Sequence, residues 1–107
     1  HGARKKIEGK MEINDRILII DDLITTGKSV IQAAEAAREQ GGQVTETVVL
    51  LDREQGGQES IRSNNIRPHV LFNVSDAFKW LNEVNMLSDE DYRVIRDYIK
   101  SEKKSTD

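Results

Sequence analysis

The sequence contains no cysteine, only one proline and no long hydrophobic run. Without cysteine, disulfides and thiolate metal sites are excluded, which suits a reducing compartment. No apolar stretch approaches the roughly 20 residues that a membrane-spanning helix needs. The N-terminus is basic and polar, and no signal-peptide hydrophobic region follows it. We therefore expect a cytoplasmic protein with no membrane partner.

Aromatic residues are scarce, and the charged residues are spread along the chain. The formal net charge is −3, so the chain lacks the basic footprint with which proteins bind nucleic acid. Phe72, Phe78 and Trp80 lie on apolar faces and are expected in the core rather than in a base-stacking platform. A chain of 107 residues without repeats or low-complexity linkers predicts one domain that binds no nucleic acid.

Short apolar segments of high β-propensity alternate with segments of helical periodicity. Strands are predicted over residues 17–20, 44–51 and about 69–73. Helices are predicted over residues 28–40, 58–64, 76–84 and 88–100. The fully apolar first strand is expected to be buried on both faces. The alternation predicts an α/β fold, with a Rossmann-like parallel sheet, right-handed crossovers and helices on both faces.

Two helix ends carry capping signals. Gly41-Gly42 is a C-cap signal for the first helix, and Ser88 followed by Asp91 is an N-cap signal for the last one. We expect one domain in three parts: the end of a loop with a hairpin arm over residues 1–12, the core over 13–100 and a polar tail over 101–107.

The most informative segment is Ile17–Ser29, in which a strand, two carboxylates and a Thr-Thr-Gly-Lys-Ser turn precede a helix. Backbone N–H groups at such a turn point outward with the positive end of the helix dipole and form an anion site. Thr25, Thr26 and Ser29 add hydroxyl donors. Gly27 permits a positive φ and the close approach of a phosphate. The turn is therefore a candidate phosphate site.

Asp21 and Asp22 precede this turn and are suited to accept hydrogen bonds from two adjacent hydroxyl groups. A phosphate beside a vicinal diol describes a ribose 5-phosphate. Gly27-Lys28-Ser29 also mimics the end of a P-loop, but Asp22 stands where that motif needs its first glycine. A strand end and a helix cap are common structural features too. The combined pattern favours ligand binding over either half taken alone.

The same segment resembles the phosphoribosyl-diphosphate signature of type I phosphoribosyltransferases. That resemblance implies that the turn holds the 5-phosphate and that Asp21 and Asp22 hold the ribose hydroxyls. As catalytic residues, these carboxylates would stabilise positive charge on the ribose while pyrophosphate leaves. Mg²⁺ would be carried by the ligand, with no direct protein ligand. The implied binding residues are Asp21, Asp22, Leu23, Ile24, Thr25, Thr26, Gly27, Lys28 and Ser29.

A second segment, Leu50–Gly57, resembles the acceptor loop of orotate phosphoribosyltransferases and of the equivalent domain in uridine monophosphate synthases. By that resemblance Arg53 reads orotate, and Thr25 lines the orotate side. A guanidinium can meet a carboxylate through two parallel hydrogen bonds, and orotate bears a carboxylate. The alternative is a surface salt bridge from Arg53 to Asp52 or Glu54. Its place after the second strand of a parallel sheet, where ligands bind, favours the acceptor role.

His1-Gly2, followed by Ile7-Glu8-Gly9, resembles the end of the family's flexible catalytic loop. His1 is then implied to contact the pyrophosphate of phosphoribosyl diphosphate; the alternative is a remnant of an expression vector. The family's N-terminal hood, its basic pyrophosphate-binding segment and the arginine and lysines of its loop have no counterpart in the sequence. We therefore expect an incomplete, inactive fragment.

The resemblance implies orotate phosphoribosyltransferase activity. Phosphoribose would pass from phosphoribosyl diphosphate to orotate, giving orotidine monophosphate and pyrophosphate, in an enzyme that is a homodimer when complete. The alternative is a non-catalytic module that binds phosphoribosyl diphosphate for regulation. A purine acceptor is disfavoured by Arg53, since purines lack the carboxylate that this residue suits.

Overall fold

The structure is a computed structural model that describes residues 9–105, with side chains up to residue 103. A three-stranded parallel sheet of order β1-β2-β3 forms its centre. The strands are β1 (Arg16–Ile24), β2 (Gln43–Asp52) and β3 (Arg67–Asn73). The helices are α1 (Lys28–Glu39), α2 (Gly57–Ser63), α3 (Val74–Glu83) and α4 (Asp89–Ser105). The predicted parallel α/β fold is confirmed.

The core lies between the sheet and the two helices α1 and α2. Val30, Ala34 and Ala37 recur at helical spacing, so α1 presents them together on one side. Thr47 is fully buried among apolar residues, and its hydroxyl donates a 2.7 Å hydrogen bond to the Ile19 carbonyl. The buried apolar residues are Ile24, Val30, Ala34, Ala37, Val44, Val49, Ile61 and Ile66. Because they form one cluster, α1 and α2 cover the same face of the sheet.

On the opposite face of the sheet, four apolar residues are exposed: Leu18, Ile20, Leu50 and Leu71. In β1, Ile17 and Ile19 pack against the core, whereas Leu18 and Ile20 are 53% and 73% exposed. Alternate residues of a strand point to opposite faces, and α1 lies on one face only. The expectation that residues 17–20 are buried on both faces is therefore wrong for the described chain.

Both predicted helix caps are confirmed. Gly41 has a φ of 92°, and its N–H donates to the Arg38 carbonyl at 3.0 Å. The N–H of Gly42 donates to the Ala37 carbonyl at 2.9 Å, which completes a Schellman motif at the end of α1. At the start of α4, the Asp91 N–H donates to the Ser88 hydroxyl at 3.1 Å.

The C-terminal helices differ from the sequence expectation in two respects. Helix α4 continues to Ser105, so the first residues of the predicted polar tail are helical. Phe72 and Trp80 are more than half exposed, and their assignment to the core is wrong, although Phe78 is half-buried. In the described part of the chain, no helix combines the length and apolar character needed to cross a membrane.

Candidate functional site

The predicted phosphate turn, residues 25–29, connects β1 to α1. It leaves the first backbone N–H groups of α1 without a side-chain acceptor. Gly27 is the N-cap residue of α1 with a φ of 86°, and no described side chain caps the helix. The first helical hydrogen bond runs from the Ile31 N–H to the Gly27 carbonyl at 3.0 Å. The N–H groups of Lys28 and Ser29 precede this bond and have no acceptor within the helix. Such N–H groups, together with the positive end of the helix dipole, favour the binding of an anion.

A pocket of about 520 Å³ surrounds this turn. Its lining residues are Leu23, Ile24, Thr25, Thr26, Gly27, Lys28, Ser29 and Gln32. Seven of these eight belong to the predicted phosphoribosyl-diphosphate segment, and Gln32 was missed. Gln32 lies four positions after Lys28 on α1, so helical periodicity could have placed it on the same face.

The two candidate catalytic carboxylates lie within β1, because the strand continues past them to Ile24. Asp21 is half-buried, and its Oδ1 accepts a 2.8 Å hydrogen bond from the Asp22 N–H. Asp22 is exposed. Neither carboxylate lines the phosphate pocket, which begins at the next residue, Leu23. The placement after the strand was thus wrong, although the carboxylates do directly precede the pocket.

The phosphate turn and the loop after β2 touch through their backbones. The Arg53 N–H donates a 3.0 Å hydrogen bond to the Ile24 carbonyl. A Cβ added to Gly27 would lie 2.9 Å from the carbonyl oxygen of Gly57, closer than real Cβ atoms approach. Glycine at position 27 thus permits both the positive φ and this contact. The two loops therefore lie together at the carboxyl edge of the sheet.

The carboxylates of the two neighbours of Arg53, Asp52 and Glu54, accept hydrogen bonds from other residues. Asp52 is 4% exposed and accepts hydrogen bonds from the Glu54 N–H at 2.8 Å and from the Gln58 amide at 2.7 Å. The Glu54 carboxylate accepts from the N–H and hydroxyl of Ser75. Arg53 itself is exposed and makes no side-chain hydrogen bond or ion pair within residues 9–105. The alternative of a salt bridge to Asp52 or Glu54 is therefore wrong.

Arg53 also lines an apolar cleft of about 570 Å³. It is lined by Leu23, Leu51, Arg53, Gln55, Val74, Phe78, Val94, Ile95, Tyr98, Ile99 and Glu102. Leu23 lines both this cleft and the phosphate pocket, so the two spaces adjoin. Arg53 lines the cleft, and its backbone is hydrogen-bonded to Ile24, the residue that precedes the phosphate turn. His1, the remaining predicted site residue, lies outside the described residues.

These features define a class: an α/β domain with an uncapped helix N-terminus after its first strand and an exposed arginine after its second. The phosphoribosyl transferase domain family matches residues 6–87 by sequence profile. Since this match spans most of the chain, the protein belongs to that family.

Individual relatives agree with this assignment. The orotate phosphoribosyltransferase of Pyrococcus abyssi is 42% identical over 79 residues, which cover 74% of this chain and 43% of the relative. The uridine 5'-monophosphate synthase of Bos taurus is 33% identical over 94% of this chain and 21% of its own length. The structure of Leishmania donovani UMP synthase superposes with a TM-score of 0.78 at 26% identity, covering 88% of this chain and 21% of that one. The chain thus spans less than half the length of these relatives.

Proposed function

We propose that this chain supplies the phosphoribosyl-diphosphate and acceptor loops of an orotate phosphoribosyltransferase. The full-length protein would transfer phosphoribose from phosphoribosyl diphosphate to orotate, releasing pyrophosphate and orotidine monophosphate. The observation that carries the proposal is the exposed Arg53, whose backbone is hydrogen-bonded to Ile24 next to the phosphate turn and whose guanidinium pairs with no described side chain. Relatives named orotate phosphoribosyltransferase, such as that of Pyrococcus abyssi, support the choice of acceptor.

Each loop has a distinct task in this mechanism. The amides and hydroxyls of the turn over residues 25–29 bind the 5-phosphate and anchor the ribose. Asp21 and Asp22 accept hydrogen bonds from the ribose hydroxyls and stabilise positive charge at the ribose as the bond to pyrophosphate breaks. Arg53 binds the orotate carboxylate through two parallel hydrogen bonds and orients the attacking ring nitrogen.

Magnesium fits this site as part of the bound substrate. Mg²⁺ prefers oxygen ligands and is commonly held by one or two carboxylates together with substrate phosphates. Among the described residues, no group of three or more acidic or histidine side chains could hold a metal, and in this proposal the ion arrives bound to the phosphates of phosphoribosyl diphosphate. When bound, the ion would neutralise charge on the pyrophosphate. A homodimer and a cytoplasmic location remain part of the proposal.

Calorimetric titration of the full-length protein tests the acceptor assignment. Orotidine monophosphate and uridine monophosphate share the phosphate and ribose, and only the first has the carboxylate. Loss of a charge-assisted contact costs about 1.5–3 kcal/mol, so Arg53→Ala should weaken binding of orotidine monophosphate by tenfold or more. Binding of uridine monophosphate should stay unchanged. Equal weakening of both nucleotides, or of neither, would remove the support for orotate.

A further inference from the structure

Glu54 adopts a backbone conformation that its residue type disfavours. Its φ is 64°, in the left-handed region. The other described residues with a positive φ are either glycines or the asparagines Asn14, Asn65 and Asn85, which tolerate this region best. Glutamate has no such preference, so contacts elsewhere in the fold must hold Glu54 in place.

Two sets of hydrogen bonds hold it. On the strand side, the Glu54 N–H donates to Asp52 Oδ1 at 2.8 Å. On the helix side, Glu54 Oε1 accepts from the Ser75 N–H at 3.1 Å and from the Ser75 hydroxyl, and Oε2 accepts from the same hydroxyl at 2.9 Å. The Glu54 side chain is only 12% exposed, and the Lys103 ammonium lies 3.9 Å from Oε2. The carboxylate is therefore shielded from water and fully engaged.

The contact with Ser75 replaces a missing helix cap. Asn73 is the N-cap residue of α3, but its side chain makes no capping hydrogen bond. The first N–H groups of a helix need acceptors from outside, and a negative charge there is favourable. Glu54 thus caps α3 from a loop that is distant in sequence, and α3 in turn clamps Glu54.

The contact between Glu54 and Ser75 fixes the loop that carries Arg53. Its N–H is held by the Ile24 carbonyl at 3.0 Å, and the next residue is held by Asp52 and Ser75. Its backbone is thus fixed on both sides, while its guanidinium has no partner in residues 9–105. We propose that Glu54, locked onto Ser75, is a positioning residue that aims Arg53 at the acceptor. This inference rests on the proposed function.

Three variants of the full-length protein test the clamp. Glu54→Gly accepts the positive φ without strain but removes the carboxylate. Glu54→Gln keeps Oε1, which can still accept from both Ser75 donors. Ser75→Ala removes the hydroxyl donor but leaves the N–H donor. This variant weakens the same contact from the other side and replaces Glu54→Gly in the test if that variant does not fold. Glu54→Gly should weaken binding of orotidine monophosphate about tenfold, as expected when a charge-assisted contact is lost. Glu54→Gln should bind like the unaltered protein, and Ser75→Ala should show a smaller loss.

A double-mutant cycle separates positioning from general support of the fold. If Glu54 acts through Arg53, Glu54→Gly should cause no further loss of orotidine monophosphate binding in the Arg53→Ala background. Binding of uridine monophosphate should be unaffected by Glu54→Gly. Additive losses, or equal losses for both nucleotides, would overturn the positioning role while leaving the orotate assignment intact. If Arg53→Ala alone left orotidine monophosphate binding unchanged, the proposed function and this inference would both fail.

Discussion

A Cβ added to Gly57 would lie 2.7 Å from the carbonyl oxygen of Thr25. This closeness joins the start of α2, which directly follows the loop with the candidate acceptor arginine, to the turn that carries the candidate phosphate site. The contact runs between backbones, so a side chain at position 57 cannot turn aside to relieve it. The geometry of one loop therefore depends on that of the other.

Gly57→Ala should destabilise the protein, although Gly57 is the first residue of α2. Alanine is favoured over glycine in helices by roughly 1 kcal/mol, so with free space this change would stabilise. Because the new Cβ meets backbone atoms, we expect the free energy of unfolding to fall by about 1–3 kcal/mol. Urea denaturation measures it, with Ser63→Ala at the exposed end of α2 as the matched control. An unchanged or increased stability would show that the loops can separate freely.

Thr26→Val tests the hydroxyl contribution of the phosphate turn. Thr26 is exposed, and valine keeps its shape while removing the donor. We expect the affinity for a nucleotide 5-phosphate to fall by about fivefold, since one neutral hydrogen bond contributes about 1 kcal/mol. The free energy of unfolding should not change. Thr45→Val, at an exposed position of β2, is the control, and an equal loss there would argue against a direct contact from Thr26.

Asp22→Asn tests the catalytic assignment in the full-length protein. The substitution keeps the size and the acceptor oxygen but removes the charge that would stabilise a positively charged ribose. We expect kcat to fall by roughly 10²–10³, as when other preorganised electrostatic groups are removed. Steady-state assays of orotate consumption measure it, with the exposed Asp76→Asn as the control. Undiminished kcat would exclude Asp22 from the chemistry.

Arg38→Met should affect stability without affecting ligands. The Arg38 guanidinium donates to the carbonyls of Val44 at 2.7 Å, Asn64 at 2.9 Å and Asn65 at 3.3 Å, so it ties α1 to β2 and to the end of α2. Hydrogen bonds to charged groups contribute about 1.5–3 kcal/mol, and we expect a loss of that order. The exposed Arg67→Met is the control. A loss of nucleotide affinity without destabilisation would contradict this structural role.

Local sequence signals predicted the order of all the described strands and helices. Gly41-Gly42 and Ser88 marked helix ends because caps depend on a few neighbouring residues. The end of β1 was placed too early because the apolar run stops at Asp21, whereas pairing with β2 continues to Ile24 and Asp52. Where a ladder ends depends on the partner strand, which a local pattern does not report.

Sequence patterns did not predict which apolar residues are exposed or which residues distant in sequence are in contact. Leu18 and Ile20 have the apolar character of core residues, and their exposure depends on which helices cover the sheet. The contact between Glu54 and Ser75 joins residues 21 positions apart, and no periodicity links them. The phosphate turn is a contiguous motif that a sequence pattern can report, whereas the residue that supports Glu54 beside Arg53 lies in a different element.

A crystal structure of the full-length protein with orotidine monophosphate would show directly whether the two loops bind one nucleotide. We expect the 5-phosphate on the N–H groups and hydroxyls of residues 25–29, with the ribose hydroxyls facing Asp21 and Asp22. The base carboxylate should meet the Arg53 guanidinium at hydrogen-bond distances of about 2.7–2.9 Å. A phosphate bound elsewhere, or a carboxylate directed away from Arg53 with the phosphate in place, would rule out the proposed function of these loops.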